Sequence, residues 1–126
     1  MPRKAFSSPG AVAIGPYSHA VEAGALVYLS GQTPIDPATG RLVEGDAGAQ
    51  AQRCLENLFQ VLAAAGLGPD DVVKVNVFLV DMGDFAALNA AYAARFTAPY
   101  PARTTIGVAS LPLGARVEIE LIARRP

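Results

Sequence analysis

Two stretches near the C-terminal end decide the fold: Pro101-Ala-Arg-Thr-Thr-Ile-Gly-Val-Ala109 and Val117-Glu-Ile-Glu-Leu-Ile-Ala-Arg124. In both, apolar residues alternate with other types, the period of two that marks a β-strand. In the first, Thr104, Ile106 and Val108 share one face, and Arg103, Thr105 and Gly107 share the other. In the second, Val117, Ile119 and Leu121 oppose Glu118, Glu120 and Ile122. Each strand therefore offers one apolar face to a core and one face that carries charge. Burying an unpaired charge is very costly, so Arg103, Glu118 and Glu120 require water or partners. Spacing alone is also satisfied by plain surface charge on a half-solvated sheet.

Working back from there, Asp71-Val-Val-Lys-Val-Asn-Val-Phe-Leu-Val80 is a long β-branched run. Its near-continuous apolar character predicts a central strand covered on both faces. Asp81 is placed to cap a helix over about 83–96, with Asp84 favourable in the first turn. Phe85, Leu88, Tyr92 and Phe96 form the core stripe of that helix, and Asn89 lies just off it, a solvated amide or a ligand contact. Further upstream, Asp46 is placed to cap a helix that runs to about Ala65. Its stripe is Ala51, Leu55, Leu58, Leu62 and Ala65, and Cys54 beside it reads as a small core residue rather than a nucleophile. Gly66-Leu-Gly68-Pro69 ends the helix. The GxG there follows a helix, whereas a dinucleotide fingerprint follows a strand and opens one.

Nearer the N-terminus, residues 3–8 offer a short edge strand, and Ser8 to Tyr17 form a loop punctuated by glycine and proline. Tyr17 is either a site wall or a core aromatic. His19 is the only histidine and reads as a surface residue rather than a catalyst. Val21–Ala23 and Ala25–Ser30 read as a hairpin around Gly24. Ser30-Gly31-Gln32 either ends that strand plainly or brings the Gly31 N–H within reach of a ligand. Asp36-Pro-Ala-Thr-Gly40 is a turn.

At 126 residues the chain is read as one domain, residues 1–126. Hydrophobic residues make up 52% of it and mean hydropathy is +0.31, high enough to imply apolar surface buried between subunits. A formal net charge of −1 argues against a nucleic-acid partner, which usually meets a basic stripe. No stretch approaches the roughly 18 apolar residues of a membrane span. Met-Pro-Arg-Lys-Ala-Phe carries no apolar signal core, and a single cysteine allows no internal disulfide, so a cytoplasmic protein is expected. One histidine and one cysteine cannot supply the usual zinc sets, and there is no P-loop and no GxSxG elbow. An enzyme built from this chain would have to work with arginine, glutamate, hydroxyls and backbone amides. The order hairpin, helix, strand, helix, strand, strand predicts helices on one face of a mixed sheet. The other face then meets solvent or a neighbouring subunit.

Several blocks in this order resemble the RidA/YjgF family, the 2-iminobutanoate/2-iminopropanoate deaminases, over nearly the whole chain. They are Ala13-Ile-Gly-Pro-Tyr17, Ser30-Gly-Gln-Thr-Pro-Ile-Asp-Pro-Ala-Thr-Gly40, Gln50-Ala-Gln-Arg-Cys-Leu-Glu-Asn57, Val75-Asn-Val-Phe-Leu-Val-Asp81, Asp84-Phe-Ala-Ala-Leu-Asn89, Pro101-Ala-Arg103 and Val117-Glu-Ile-Glu-Leu121. The resemblance implies a chorismate-mutase-like α+β fold, with a mixed six-stranded sheet and two helices on one face, assembled as a homotrimer. It implies hydrolysis of small-molecule 2-imino acids to 2-keto acids and ammonia without a cofactor. By the same resemblance Arg103 takes the substrate carboxylate and Glu118 the water, while Tyr17, Ser30, Gly31, Asn89 and Thr105 line the cleft. Thr105 stands where many members carry cysteine, and its backbone N–H is expected to matter more than its side chain.

That chemistry suits these residue types. Arginine binds carboxylates through two parallel hydrogen bonds. A protonated imine is already electrophilic, and a glutamate can take the proton of an attacking water. Two other classes use the same residues: a regulator that binds a keto or amino acid without turnover, and the RNA-cleaving or translation-inhibiting activity assigned to some members. The implied sheet order is strand 25–30, strand 117–124, strand 71–80, strand 102–109, with only 117–124 antiparallel to the rest. Glu118 then lies at the end of the sheet where Ser30 finishes and Arg103 at the opposite end, roughly 20 Å away along the strands. One small imino acid cannot bridge that distance, so each site is expected to use two chains.

Overall fold

The structure is a computed structural model and describes residues 2–126. Its strands are β1 (Lys4–Phe6), β2 (Ala20–Ala23), β3 (Leu26–Gln32), β4 (Ile35–Asp36), β5 (Arg41–Leu42), β6 (Val72–Leu79), β7 (Ala102–Gly107) and β8 (Val117–Arg124). The helices are α1 (Ala47–Ala64) and α2 (Phe85–Ala93). Six strands form one mixed sheet in the order β1-β2-β3-β8-β6-β7, and β4 pairs with β5 in a separate ribbon. β6 and β7 run parallel, and β8 runs antiparallel to both β3 and β6. The α+β architecture expected from the element order is present, and the β4–β5 ribbon around the Asp36–Gly40 turn is an addition to it.

Each helix ends where its local chemistry dictates. The Asp46 carboxylate accepts the Ala49 N–H at 3.0 Å and starts α1. Gly66, at φ +78°, takes the left-handed turn that closes α1, where a side chain would be strained. α2 is shorter than its apolar pattern predicts, because a 3₁₀ turn, Met82–Asp84, precedes it, with Asp81 capping the Gly83 N–H at 2.8 Å. One core joins Leu55, Leu58 and Leu62 of α1 and Leu88 of α2 to the sheet residues Val27, Val75, Val77, Leu79, Val117, Ile119 and Leu121. Cys54 is fully buried in it, and burial pushes its thiol well above the usual range. Among the described residues, no helix is long and apolar enough to cross a membrane.

Both helices lie on one face of the sheet, which corrects two expectations. β6 is central but covered on one face only within the chain: Val75, Val77 and Leu79 are buried, whereas Lys74, Asn76 and Phe78 are half-covered. β7 is turned over relative to its expected orientation. Its registry puts Arg103 beside Val75 and Thr105 beside Val77, on the helix side. Ile106 pairs with Phe78 on the open face and is 44% exposed. β7 is an edge strand, so the core reaches it only where α2 overhangs Arg103, and the strand's own alternation could not say which face that was.

A polar anchor is set inside the core. Asn57 of α1 is completely buried, and its amide donates to the carbonyls of Ile35 (2.9 Å) and Thr33 (3.4 Å), while its oxygen accepts from Arg53 Nε (3.0 Å). It ties the segment that follows β3 to α1. Asn57→Ala should lower stability by about 2–3 kcal/mol, since buried carbonyls lose their donor. Urea unfolding followed by circular dichroism should show the midpoint falling accordingly, and an unchanged midpoint would remove Asn57 from this role.

Candidate active site

Two concave regions hold the residues singled out from the sequence. The first, of about 420 Å³, is lined by Val12, Ile14, Tyr17, Ser30, Gly31, Thr33, Pro112, Glu118 and Glu120. The second, of about 310 Å³, is lined by Asn89, Tyr92, Ala93, Tyr100, Pro101 and Arg103. The two share no residue.

The first cleft forms where β3 loses register with β8. Leu29 pairs with Leu121 but Gln32 pairs with Ile119, so three steps on β3 match two on β8. A bulge of this kind bends the strand and unpairs backbone locally; here it falls on Ser30-Gly31. The Ser30 N–H donates to the His19 carbonyl (2.9 Å), and its hydroxyl donates to the Ser18 carbonyl (2.7 Å), which leaves the oxygen's lone pairs to accept. Glu118 reaches across to Gly31 so closely that a Cβ there would lie 3.1 Å from its carboxyl carbon. Burial, and then the like charge of Glu120, raise the Glu118 carboxyl above the usual range. Glu120 is itself held by Asn76 Nδ2 at 3.0 Å.

Tyr17 closes the rim. Its ring lies over Gly15, and its hydroxyl accepts the Ile14 N–H at 3.2 Å. His19 is not the surface residue expected from the sequence: it is 6% exposed, with Nδ1 accepting the Ser8 N–H at 3.1 Å. The loop after β1 folds over the ring and satisfies Nδ1, while Nε2 is buried without a partner. Burial lowers its pKa, favouring the neutral form that this hydrogen bond needs.

The second region is organised by α2. Arg103 leaves β7 on the helix side, and its Nη2 donates to Asn89 Oδ1 at 2.6 Å. The guanidinium carbon stands 4.7 Å from the Tyr92 ring centroid and 5.6 Å from that of Phe85. Thr105 follows on the same face of β7, its hydroxyl oxygen buried without a partner.

Arg103 and Glu118 do not meet within one chain. Arg103 is level with Val75 of β6 and Glu118 with Phe78. Three residues separate them along the strands, about 10 Å, and two strand spacings across, about 10 Å more. The axial distance is shorter than the roughly 20 Å expected. The larger obstacle is that the side chains leave opposite faces of the sheet, Arg103 toward α2 and Glu118 away from both helices.

Residues 8–125 match the family model described as Endoribonuclease L-PSP. A Myxococcus xanthus protein named DfrA is 53% identical over 126 residues, spanning 98% of this chain and 96% of its own. A Salmonella typhimurium protein named 2-iminobutanoate/2-iminopropanoate deaminase is 49% identical over 116 residues, covering 90% of each. Among solved structures, E. coli TdcF with bound serine superposes with a TM-score of 0.91 at 40% identity, covering 98% of this chain and 99% of that one. The chain belongs to the RidA/YjgF family.

Set in the RidA fold, the sequence-derived candidates sort into two groups. Tyr17, Ser30, Gly31 and Glu118 gather at the bulge, and Asn89 gathers with Arg103 under α2. Thr105 lines neither cleft. The sequence reading missed Phe85 and Tyr92 as neighbours of Arg103, because both were assigned to the core stripe; Phe85 is 39% exposed. Their spacing from Asn89, four residues before and three after, is the signal that put all three on one helical face. Gly31→Ala should push the Glu118 carboxylate off the bulge without unfolding the sheet. NMR titration of Glu118 should show its midpoint displaced from that of the parent protein, and an unchanged midpoint would mean that the two do not touch.

Proposed function

We propose that this RidA protein hydrolyses 2-imino acids such as 2-iminopropanoate and 2-iminobutanoate to 2-keto acids and ammonia, in sites each built from two chains of a homotrimer. The observation that carries the reading is the division of labour between the clefts. One presents an arginine suited to a carboxylate, and the other presents a partly buried glutamate beside an acceptor-rich bulge. A relative named 2-iminobutanoate/2-iminopropanoate deaminase and a neighbour solved with bound serine, a 2-amino acid, support the same substrate class. The open sheet face, with Tyr28 at 46% and Ile106 at 44% exposure, supports assembly through that face. A head-to-tail ring would bring one chain's Arg103 to the next chain's Glu118.

In this mechanism Arg103 holds the substrate carboxylate by its planar fork. The protonated imine needs no further activation. Water adds to C2, forming the C–O bond, and Glu118 takes the proton released. The tetrahedral intermediate carries hydroxyl and amine on one carbon. Glu118 returns its proton to the nitrogen, the C–N bond breaks, and ammonia leaves. The Glu118 carboxylate takes the hydroxyl proton as the carbonyl forms and passes it to solvent or to the departing ammonia. The raised Glu118 carboxyl suits a group that must both take and give a proton. A binding regulator would use the same pocket without releasing ammonia, and the ammonia assay separates the two.

Imine generated by a threonine dehydratase should disappear faster with the protein present, and Arg103→Lys should lose most of that acceleration, since lysine lacks the fork. Retained efficiency in the lysine variant would remove Arg103 from the reaction. Glu118 must be ionised to take the water's proton, so activity should rise with pH through its midpoint. Glu120→Gln removes the neighbouring negative charge, keeps an acceptor for Asn76, and should move that acidic limb to lower pH. A limb that stays in place would deny Glu118 the role of base. Arg103→Ala and Glu118→Ala, each inactive, should recover about a quarter of the sites when co-refolded in equal amounts, because one chain in two supplies each intact half. Mixed trimers without recovery would show that the two residues do not share a site.

A further inference from the structure

We propose that Tyr92 and Phe85 are positioning residues that fix the plane of the Arg103 guanidinium and keep its charge undischarged for an incoming carboxylate. The inference rests on the reading of Arg103 as the carboxylate partner and adds to it the device that aims the fork. Phe85, Asn89 and Tyr92 stand at i, i+4 and i+7 of α2 and face the same way. Two rings lie within 6 Å of the guanidinium carbon, and the Asn89 oxygen takes one of its five N–H donors. The two ring faces restrict the plane of the fork, and the hydrogen bond restricts its rotation within that plane.

Tyr92 is itself closely packed. It is 5% exposed and packs against Phe96, with ring centroids 4.7 Å apart. Every partner of Arg103 is neutral: among the described residues the ion pairs are Lys4–Glu22, Arg95–Glu56, Arg116–Asp84 and Arg125–Glu22. Carboxylates discharge Arg95, Arg116 and Arg125, whereas Arg103 has only π-faces and an amide. The Tyr92 hydroxyl is buried with no partner. The ring, and not the hydroxyl, is therefore the part that acts on Arg103, and phenylalanine should do the same work.

The test measures binding of 2-oxobutanoate, the unreactive product, by calorimetry, together with KM and kcat for the imine and NMR relaxation of the Arg103 Nε–H. Phe85→Leu should weaken keto-acid binding about threefold and Tyr92→Leu about thirtyfold, the span from an exposed to a desolvated cation–π contact. KM should rise in parallel with little change in kcat, because the carboxylate is held equally in ground and transition states. The Nε–H should gain mobility in Tyr92→Leu, and Tyr92→Phe should restore both rigidity and affinity. Asn89→Asp should weaken binding most, because its carboxylate would occupy the fork. Wild-type affinity and Nε–H rigidity in Phe85→Leu and in a folded Tyr92→Leu would overturn the proposal. If Tyr92→Leu does not assemble, the exposed Phe85 decides alone. A wild-type protein that binds no keto acid, yet loosens Arg103 in Tyr92→Leu, would sink the substrate reading and leave the positioning role standing.

Discussion

Strand pleat is the constraint on which this molecule turns. Side chains on neighbouring strands at the same level must leave the sheet on the same side, and successive residues must alternate. Val75 beside Arg103 commits that arginine to the helix face, and Phe78 beside Glu118 commits that glutamate to the open one. No rotamer brings them together. A one-residue slip of β8 would turn Glu118 to the helix face, but it would also carry Val117, Ile119 and Leu121, all in the core, out to the open face. Core packing therefore keeps the two charged groups apart.

Around that constraint each half is stabilised by different physics. The Glu118 side depends on backbone: a bulge, a glycine with no side chain, and hydrogen bonds from Ser30 to the carbonyls of Ser18 and His19. The Arg103 side depends on one helical face with two rings and an amide. A strand defect places a carboxylate, and a helix places a guanidinium. Asn57 steadies the first half from behind, by fastening the carbonyls of Thr33 and Ile35 to α1.

Much of this was legible because local chemistry governs it. Asp46, the Leu55–Leu58–Leu62 stripe and Gly66 mark α1 without help from the rest of the chain, and the alternation in 117–124 marks β8. The gathering of Tyr17, Ser30 and Gly31 near Glu118 followed from family resemblance and strand direction. What failed depended on tertiary context. The facing of β7 was misread because an edge strand with Thr104 and Ile106 on one side and Arg103 and Thr105 on the other has no intrinsic inside. Phe85 looked like core because an apolar side chain on a helix carries no mark of whether it packs under a sheet or beside a cation. His19 looked exposed because its burial depends on the Ser8 N–H, eleven residues away in sequence.

The two clefts on opposite faces also change the arithmetic of damage. In the proposed ring every chain lends its arginine to one neighbour and its glutamate to the other. A lesion confined to either group silences one site, whereas a lesion that deforms the sheet between them silences two. One misfolded chain in a trimer would leave a single competent site of three. Tolerance in such an assembly is set by the sheet that joins the half-sites, and the quietest residues of β6 and β8 become its most exposed points of failure.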